Sequence, residues 1–595
     1  MKRIIKLAAA AALAFSLASC ESFLDTTNYW SKDSSNFPAN ATDAEQMLAG
    51  IYNILNFGAD GSSALTNHLN WSIAASDDAL GGGGQNDPSM QAEDLLLNYG
   101  SDLYNTFYKD RYTGIARANA AIEAMPNCGV AELNQYMGEA FFMRAYYYYE
   151  LASMFGNIPC PVASEANPME PQISGEPLWG QIIEDCKIAA DIMPAKQGIG
   201  DGHADKYCAE ALMGRAWLFA SGFYNLSEIT LPAYENEAIG VKIAEGTKIT
   251  KSDVGAYITD CVNNSGYTLV DDYHNLWAYT NRCSIEEPGN PWAGHNYHWV
   301  ENDGARNPEA MFMVKFNTQP SWDTTVGYAN EIALFMGIRG QNSIGGDTMP
   351  FGMGWGMCPA NPSLVDDWKT IEPNDPRLDA SIVSCDKWPN YIIGTADDTF
   401  IQETGYNQTK IVPVIAPKGD GSYWASFTNA MFPGITWASG REDDPQTNCV
   451  HDMILIRFAE VLLMDAEING NQASFDRVRN RAGLPSRPIN DENIRNERRW
   501  ELAFEGVRFN DLRRYGEAYA VAALNKQEGV RVWNNGVEET NYASKYNGGY
   551  GERYKATKGF VPLPNEQIDL SAGAGEEYKF TQNEGWGPQF NFQGW

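Results

Sequence analysis

The first residue that invites chemistry is Cys20. It follows a positive head of Lys2, Arg3 and Lys6, an apolar run from Leu7 to Leu17, and the small residues Ala18 and Ser19. That is the order of a secretory signal peptide. A cysteine just after the cut accepts acyl chains on its sulfur and on the new amino terminus. The run is shorter than the ~20 residues of a membrane-spanning helix. The mature chain is expected to start at Cys20 and to be held by lipid, two or more chains being needed at ~0.8 kcal/mol per buried methylene. Next comes Asp77-Asp78, beside the run Gly81 to Gly84. Its oxygens could hold a structural Ca²⁺, although a solvated acidic loop is the plainer reading. The glycine run lacks the Lys and Ser/Thr of a phosphate loop and reads as a flexible segment. His295-x-x-His298 could reach one metal from a helical turn, but Gly294 to Trp299 is loop-like and offers no third ligand. No metal site is expected there. There is no G-x-S-x-G elbow and no H-E-x-x-H. Asp and Glu are abundant, so counting does not rule out a glycosidase-like carboxylate pair, yet nothing places two across a bond. The chain does not read as an enzyme.

Composition narrows the partners. The chain has 595 residues, 43 basic against 76 acidic, for a net charge of −33. A body this acidic repels phosphate backbones, so no nucleic-acid partner is expected. Of ten cysteines, Cys20 is assigned to lipid; the other nine are scattered without a C-x-x-C pair and read as buried thiols. Aromatics stand out, with 17 Trp, 30 Tyr and 25 Phe. The Trp residues fall partly in Gly/Pro/Asn-rich segments, where exposed rings of a binding face would be expected.

These residues need elements to position them. Residues 20–41 read as a polar lead-in after the signal, 1–19. A helical region spans 42–270. Thr42-Asp43 opens one helix, with Ala44, Met47, Leu48, Ile51 and Leu55 on one face. Tyr104 to Met125 is another. Glu139-Ala140-x-x-x-Arg144-Ala145-Tyr146 recurs 71 residues later as Glu210-Ala211-x-x-x-Arg215-Ala216-Trp217. Each copy is followed by an amphipathic segment, Trp179 to Met193 and Val254 to Val262. The spacing is about twice a 34-residue tetratricopeptide period. From 271 to 448 the helical period fades into loops, short strands and short helices. In 449–595 strong helices are expected at Ile454 to Ile468 and Ile494 to Tyr515, with a tail after Thr540 that wraps the body.

The C-terminal part resembles a known family. Ile456 to Glu467 (IRFAEVLLMDAE), Val478 to Leu484 (VRNRAGL) and Glu497 to Gly506 (ERRWELAFEG), with Arg508, Asp511, Leu512, Arg513 and Arg514, are similar to the signature of the SusD/RagB outer-membrane nutrient-binding lipoproteins. Val561-Pro562-Leu563-Pro564 with Glu566 and Asp569, then Gln582-Asn583 and Gly585, resembles the family's end. Cys20-x-x-Phe23-Leu24-Asp25, Arg144 to Pro159, Asn307-Pro308-Glu309 and Asn374 to Leu378 resemble its earlier landmarks. The charged signature residues Arg498, Arg499, Glu501, Glu505 and Arg508 read as a structural ion-pair network, with Arg498–Glu501 and Glu505–Arg508 as i,i+3 neighbours.

The resemblance implies a mainly α fold of about four tetratricopeptide-like helix pairs, decorated by long loops. It implies a lipid-anchored protein on the outer membrane of a Bacteroidota-type bacterium, facing outward. It implies a glycan ligand and a TonB-dependent β-barrel transporter as partner. Peptides or protein fragments on the same scaffold are the alternative ligand, and a surface glycosidase is the alternative of another class. Sugars stack their C–H faces on flat rings and hydrogen-bond through hydroxyls, so their sites combine apolar platforms with a few polar groups. The loop after the first helix and the loop-rich middle should supply both. The expected ligand residues are Trp71, Asp77 and Asp78 from the first, and Trp292, Tyr297, Trp299 and Trp322 from the second. Trp355 is a weaker member, because its glycine-rich surroundings fit a turn.

Overall fold

The computed structural model describes residues 37–55, 65–100, 102–316, 330–339, 346–393, 400–425, 431 and 449–594. Cys20 and Trp322 lie outside them.

Eight helices make the frame: α1 (Ala41–Tyr52), α2 (Asn105–Ala124), α3 (Leu133–Phe155), α4 (Glu176–Ile192), α5 (Lys206–Phe223), α6 (Lys251–Asn264), α7 (Phe458–Asn469) and α8 (Gln472–Arg481). Local chemistry sets their ends. Asn40 caps α1 by accepting from the Asp43 N–H, Asp205 caps α5 through Cys208 N–H, and Thr250 with Asp253 forms a capping box on α6. Gly470, left-handed at φ 68°, stops α7. The pairs α1–α2, α3–α4, α5–α6 and α7–α8 pack together, and each leans on the next. Thus α6 rests on α7 although the whole loop-rich middle lies between them in sequence. These are the expected four pairs. The echoed arginines act alike. Arg144 of α3 donates two bonds to Asp185 of α4, at 2.8 and 2.7 Å. Arg215 of α5 donates two to Glu460 of α7, at 3.0 and 2.5 Å.

Three expectations change. Residues Met453–Arg457 form a strand, β2, antiparallel to β1 (Ala310–Val314), so the helix expected from Ile454 begins only at Phe458. The β-branched Ile454 and Ile456 favour that pairing. The helix expected over Ile494 to Tyr515 is broken into α9 (Asp491–Leu502) and α10 (Arg508–Arg514). Phe504 at φ 62° and Gly506 at φ 75° turn the chain between them. A Cβ at Gly506 would stand 2.7 Å from Leu69 Cδ1. Finally, the run Gly81 to Gly84 is not a flexible segment. It is buried as a strip against residues 356–359 and 402: Gly83 N–H donates to Gly356 O at 2.8 Å, Cys358 N–H to Gly81 O at 3.1 Å, and Gly82 N–H to Gln402 Oε1 at 3.0 Å. A Cβ on Gly82 would fall 2.2 Å from Gly356 O, so glycine is needed for the approach.

A second, smaller apolar core gathers within the loop-rich middle, around Tyr273, Trp277, Tyr279, Trp292, Trp299, Phe351 and Trp388. The tail returns over the body as expected: Val561 N–H donates to Met154 O at 2.8 Å and Arg553 Nη2 to Leu96 O at 2.8 Å. All nine cysteines among the described residues are free thiols.

What ties the loop-rich middle to the frame is charge. Arg457, the last residue of β2, is buried and uses every N–H. Its Nε donates to Glu505 (2.6 Å), Nη1 to Glu309 (2.7 Å) and Glu501 (2.6 Å), and Nη2 to the Glu501 carbonyl (2.6 Å) and Glu505 (3.0 Å). Glu501 of α9 also accepts from Arg377 at 2.9 Å and from Arg481 of α8. Arg377 reaches Asp375 (2.8 Å) and Glu497 (2.7 Å), and Arg479 links Glu497 (2.6 Å) to Glu372 (2.8 Å). Lys410 bonds Glu505 at 2.7 Å. Burial would push the Glu501 carboxyl up, but the guanidinium groups of Arg481, Arg457 and Arg377 outweigh it and hold it well below the usual carboxylate range. Burial pulls the Lys410 ammonium down to about 8 against the attraction of Glu505.

The structural network anticipated for the signature charges is therefore present, but its partners are remote in sequence rather than i,i+3. Arg498 pairs with Asp511 at 2.8 Å, and Arg508 with Asp77 at 2.7 and 2.9 Å. The break after Leu502 takes Glu505 and Arg508 off a common helix face.

Removing one partner from a buried ionic cluster strands the others without water, typically at a cost of about 3–5 kcal/mol. Arg457→Met should lower unfolding stability by about that amount in denaturant titration. Lys242→Met, which breaks only the exposed pair with Glu235, should leave it unchanged. A parent-like midpoint for Arg457→Met would refute the hub.

Candidate ligand-binding face

The expected ligand residues separate into two places. Trp71, Asp77 and Asp78 lie inside the main core. Trp71 is fully buried, packed edge-to-face on Phe509 of α10 with ring centres 5.2 Å apart. Asp77 accepts from Arg508, and Arg499 lies 3.0 Å from Asp77 and 2.8 Å from Asp78. For Asp77, burial raises the carboxyl pKa, but Arg499 and Arg508 bring it far below normal. Burial, opposed by Arg499, leaves Asp78 raised. The pair is thus not a solvated acidic loop. Both carboxylates are paired with guanidinium groups. The first expected region therefore contributes interior structure, because α9 and α10 carry arginines that need buried counter-charges.

Trp292 and Trp299 are also interior, at 1% and 2% exposure. Trp292 packs on Tyr279 at 4.3 Å and donates its indole N–H to Asp379 at 3.0 Å. Trp299 lines a cavity of about 30 Å³ beside Lys410 and His451, room for roughly one water. The physical reason is supply. The loop-rich middle has few aliphatic runs, and eight of the 21 buried residues of its own core are aromatic. The dense Trp of this irregular sequence supplies Trp277, Trp292, Trp299 and Trp388 to that core. Trp355 is half-buried against Phe335, ring centres 5.0 Å apart.

Tyr297 differs. It is half-buried at the edge of the second core. Its ring lies parallel to His274 at 4.0 Å and to His295 at 4.9 Å, within 8° and 2°. His274 is fixed in turn by Asp272, 2.9 Å from its Nδ1. His295, the exposed member, presents a flat ring to solvent. Burial, with Asp272 and Asp379 nearby, pushes the Tyr297 hydroxyl up to about 12, so it stays a neutral donor and acceptor. Asp379, half-exposed and 3.8 Å from Lys387, is oriented by Trp292. On the hairpin of residues 415–425, Lys418 sits 4.1 Å from the ring centre of Trp424, which packs on the same core. Tyr297 and His295 with Asp379 thus form an open ring platform, and Trp424 with Lys418 is a further ring at the rim of the same core.

Of the expected residues, Tyr297 is the described one that borders this surface; His274, Asp379 and Trp424 were not among them. Asp420-Gly421 was a legible hairpin signal, and Gly421 takes φ 87°. The other two have no local signal. His298 is spent on Asn302, 3.3 Å from its Nδ1. Among the described residues no cluster of His, Cys, Asp or Glu could hold a metal ion, and no helix is long and apolar enough to cross a membrane.

Comparison with known proteins places the chain. The model of the SusD family matches residues 299–586. A second SusD-like model, described as starch-binding and associating with the outer membrane, matches 22–218. SusD-like protein P2 of Formosa agariphila is 24% identical over 466 residues, 73% of this chain and 76% of that one. SusD-like protein P38 of the same organism is 22% identical over 540 residues, 85% and 90% of the two chains. Among solved structures, a laminarin-binding SusD-like protein superposes with a TM-score of 0.63 at 23% identity, covering 92% of this chain and all of that one. Surface glycan-binding protein A from Bacteroides fluxus gives 0.66 at 23%, with the same coverage. That of Bacteroides thetaiotaomicron, in complex with laminarihexaose, gives 0.60 at 16%, again with the same coverage. The likeness extends over the helical frame and the loop-rich middle alike. With family models matching both its N-terminal and its C-terminal parts, the chain belongs to the SusD family and is an outer-membrane protein.

Proposed function

We propose that this protein captures a glycan at the cell surface and hands it to a TonB-dependent β-barrel transporter without cutting it. The carrying observation is the open aromatic face of the loop-rich unit, with His295 and Tyr297 stacked and Asp379 fixed beside them. A flat platform flanked by oriented hydroxyl partners suits the alternating faces of a sugar. The structural relatives that bind laminarin or other glycans support that ligand class. Trp322 remains with Tyr297 as a proposed stacking residue. Trp292 and Trp299 act behind the face, Trp292 by aiming Asp379, whereas Trp71, Asp77 and Asp78 serve the main core. Cys20 is the proposed lipid anchor, and the rigid helical frame the docking body for the transporter.

Calorimetry should separate these roles. Tyr297→Ala should weaken glycan binding by roughly 1–3 kcal/mol, the range of ring stacking on nucleobases, with an unchanged melting temperature. Trp71→Ala should instead destabilise the fold by about 3–5 kcal/mol. Parent-like glycan affinity in Tyr297→Ala would move the site elsewhere. A parallel titration with peptides tests the other ligand class: affinity for peptides alone would replace the glycan reading.

Cys20→Ala should abolish partitioning with membranes, and mild-detergent pull-down of the parent should recover a β-barrel protein. Unchanged partitioning, or the absence of any barrel, would contradict the anchored, transporter-coupled role.

A further inference from the structure

We propose that the cleft between the first and second helix pairs is a second saccharide site, separate from the loop-rich face and selective for neutral sugars. It is about 600 Å³ in volume, within the ~300–1,000 Å³ range of small-ligand sites. Its walls are α1, the start of α3, the segment 196–205 and the end of β1.

One buried carboxylate organises the wall. Glu139, 2% exposed, accepts from Tyr52 OH at 2.8 Å and from Gln135 Nε2 at 2.8 Å, and lies 2.6 Å from His203 Nδ1. Tyr52 OH also accepts from Ala204 N–H at 2.9 Å, and Gln135 donates to Ala204 O at 3.1 Å. The Tyr52 and His203 rings meet edge to face at 5.2 Å. Tyr136 is pinned by donating to Glu45 at 3.1 Å. Side chains facing the cleft are thus already held in place, so a ligand need not order them. The lip carries Ile199, 76% exposed.

The chemistry selects the ligand. Half-buried Tyr52 and Tyr136 with exposed His203 offer ring surface, and Glu45 and Asp201 offer charged acceptors for hydroxyls. Glu45, Glu139, Asp201 and Asp205 line the cleft against Lys196 and against His203, which pairs with Glu139, while Lys315 is engaged by Asp452 at 2.5 Å. A uronate or sulfated sugar would meet repulsion there; a neutral hexose would not. The choice of a saccharide rests on the proposed function, whereas the cleft itself does not.

The test is ligand-observed NMR and calorimetry on the full mature chain with laminari-, cello-, malto-, xylo- and manno-hexaose, and tri-galacturonate as the charged control. Tyr297→Ala silences the loop-rich face. In that background at least one neutral sugar should still bind, tri-galacturonate should not, and adding Tyr136→Ala or Ile199→Asp on the exposed lip should weaken the remaining event about tenfold or more. Melting curves identify a variant that merely unfolds, and Ile199→Asp is placed where folding is indifferent. No neutral-sugar binding in the Tyr297→Ala background, or binding that ignores both cleft substitutions, overturns the second site. If Tyr297→Ala has no effect while the cleft variants do, the loop-rich face fails and the cleft stands.

Discussion

Arg457 cannot be withdrawn from this protein without taking a cation from Glu309, Glu501 and Glu505 at once. Those carboxylates come from the residue before β1, from α9 and from the turn after α9, while the cations around them come from β2, α8, Arg377 and Lys410. A cluster so buried contributes less as net attraction than as a penalty for every alternative arrangement. It fixes one placement of the loop-rich middle against the helical frame. The rings above it follow. Tyr273 donates its hydroxyl to the Glu501 carbonyl at 2.6 Å and lies under Arg481, while Lys410 sits 4.9 Å from the ring centre of Trp277. The second core therefore rests directly on the charged cluster.

This explains how a unit with little regular structure can hold the proposed ligand face in a defined place. Loops lack backbone ladders, so their order must come from side chains. Here Trp292 locates Asp379, Asp272 locates His274, and His274 locates Tyr297. Each step is a contact to a buried group that the core or the hub already fixes. The helical frame supplies the other half. Its pairs continue across the middle insertion, α6 onto α7, and the echoed Arg144 and Arg215 stitch neighbouring pairs in the same way.

The frame was legible because its signals are local. Helical periodicity marked α1 to α6, and the Glu-Ala-x-x-x-Arg echo marked equivalent helices. Family resemblance carried the pair count. Pairing between remote residues was not legible. Ile454 to Arg457 has helix-like neighbours, and only the presence of Ala310–Val314 alongside makes it a strand. Arg508 and Asp77 are joined across 431 positions, and no spacing rule predicts that. Asp77-Asp78 and the glycine run looked like an exposed loop by composition, yet both are consumed by close packing. Trp292 and Trp299 are interior for a related reason: a loop-rich unit draws on its Trp residues for a core. Tyr297 is the exception, being at the core's edge.

The central claim is that the buried charge cluster, rather than the loops themselves, holds the ligand face in place. Hydrogen–deuterium exchange on Arg457→Met, under conditions where it remains folded, tests this most directly. Protection should fall selectively in residues 270–300 and 377–417, with α3, α4 and α5 as protected as in the parent. Exchange that rises evenly over the whole chain, or stays at parent levels in the loop-rich unit, would contradict the account.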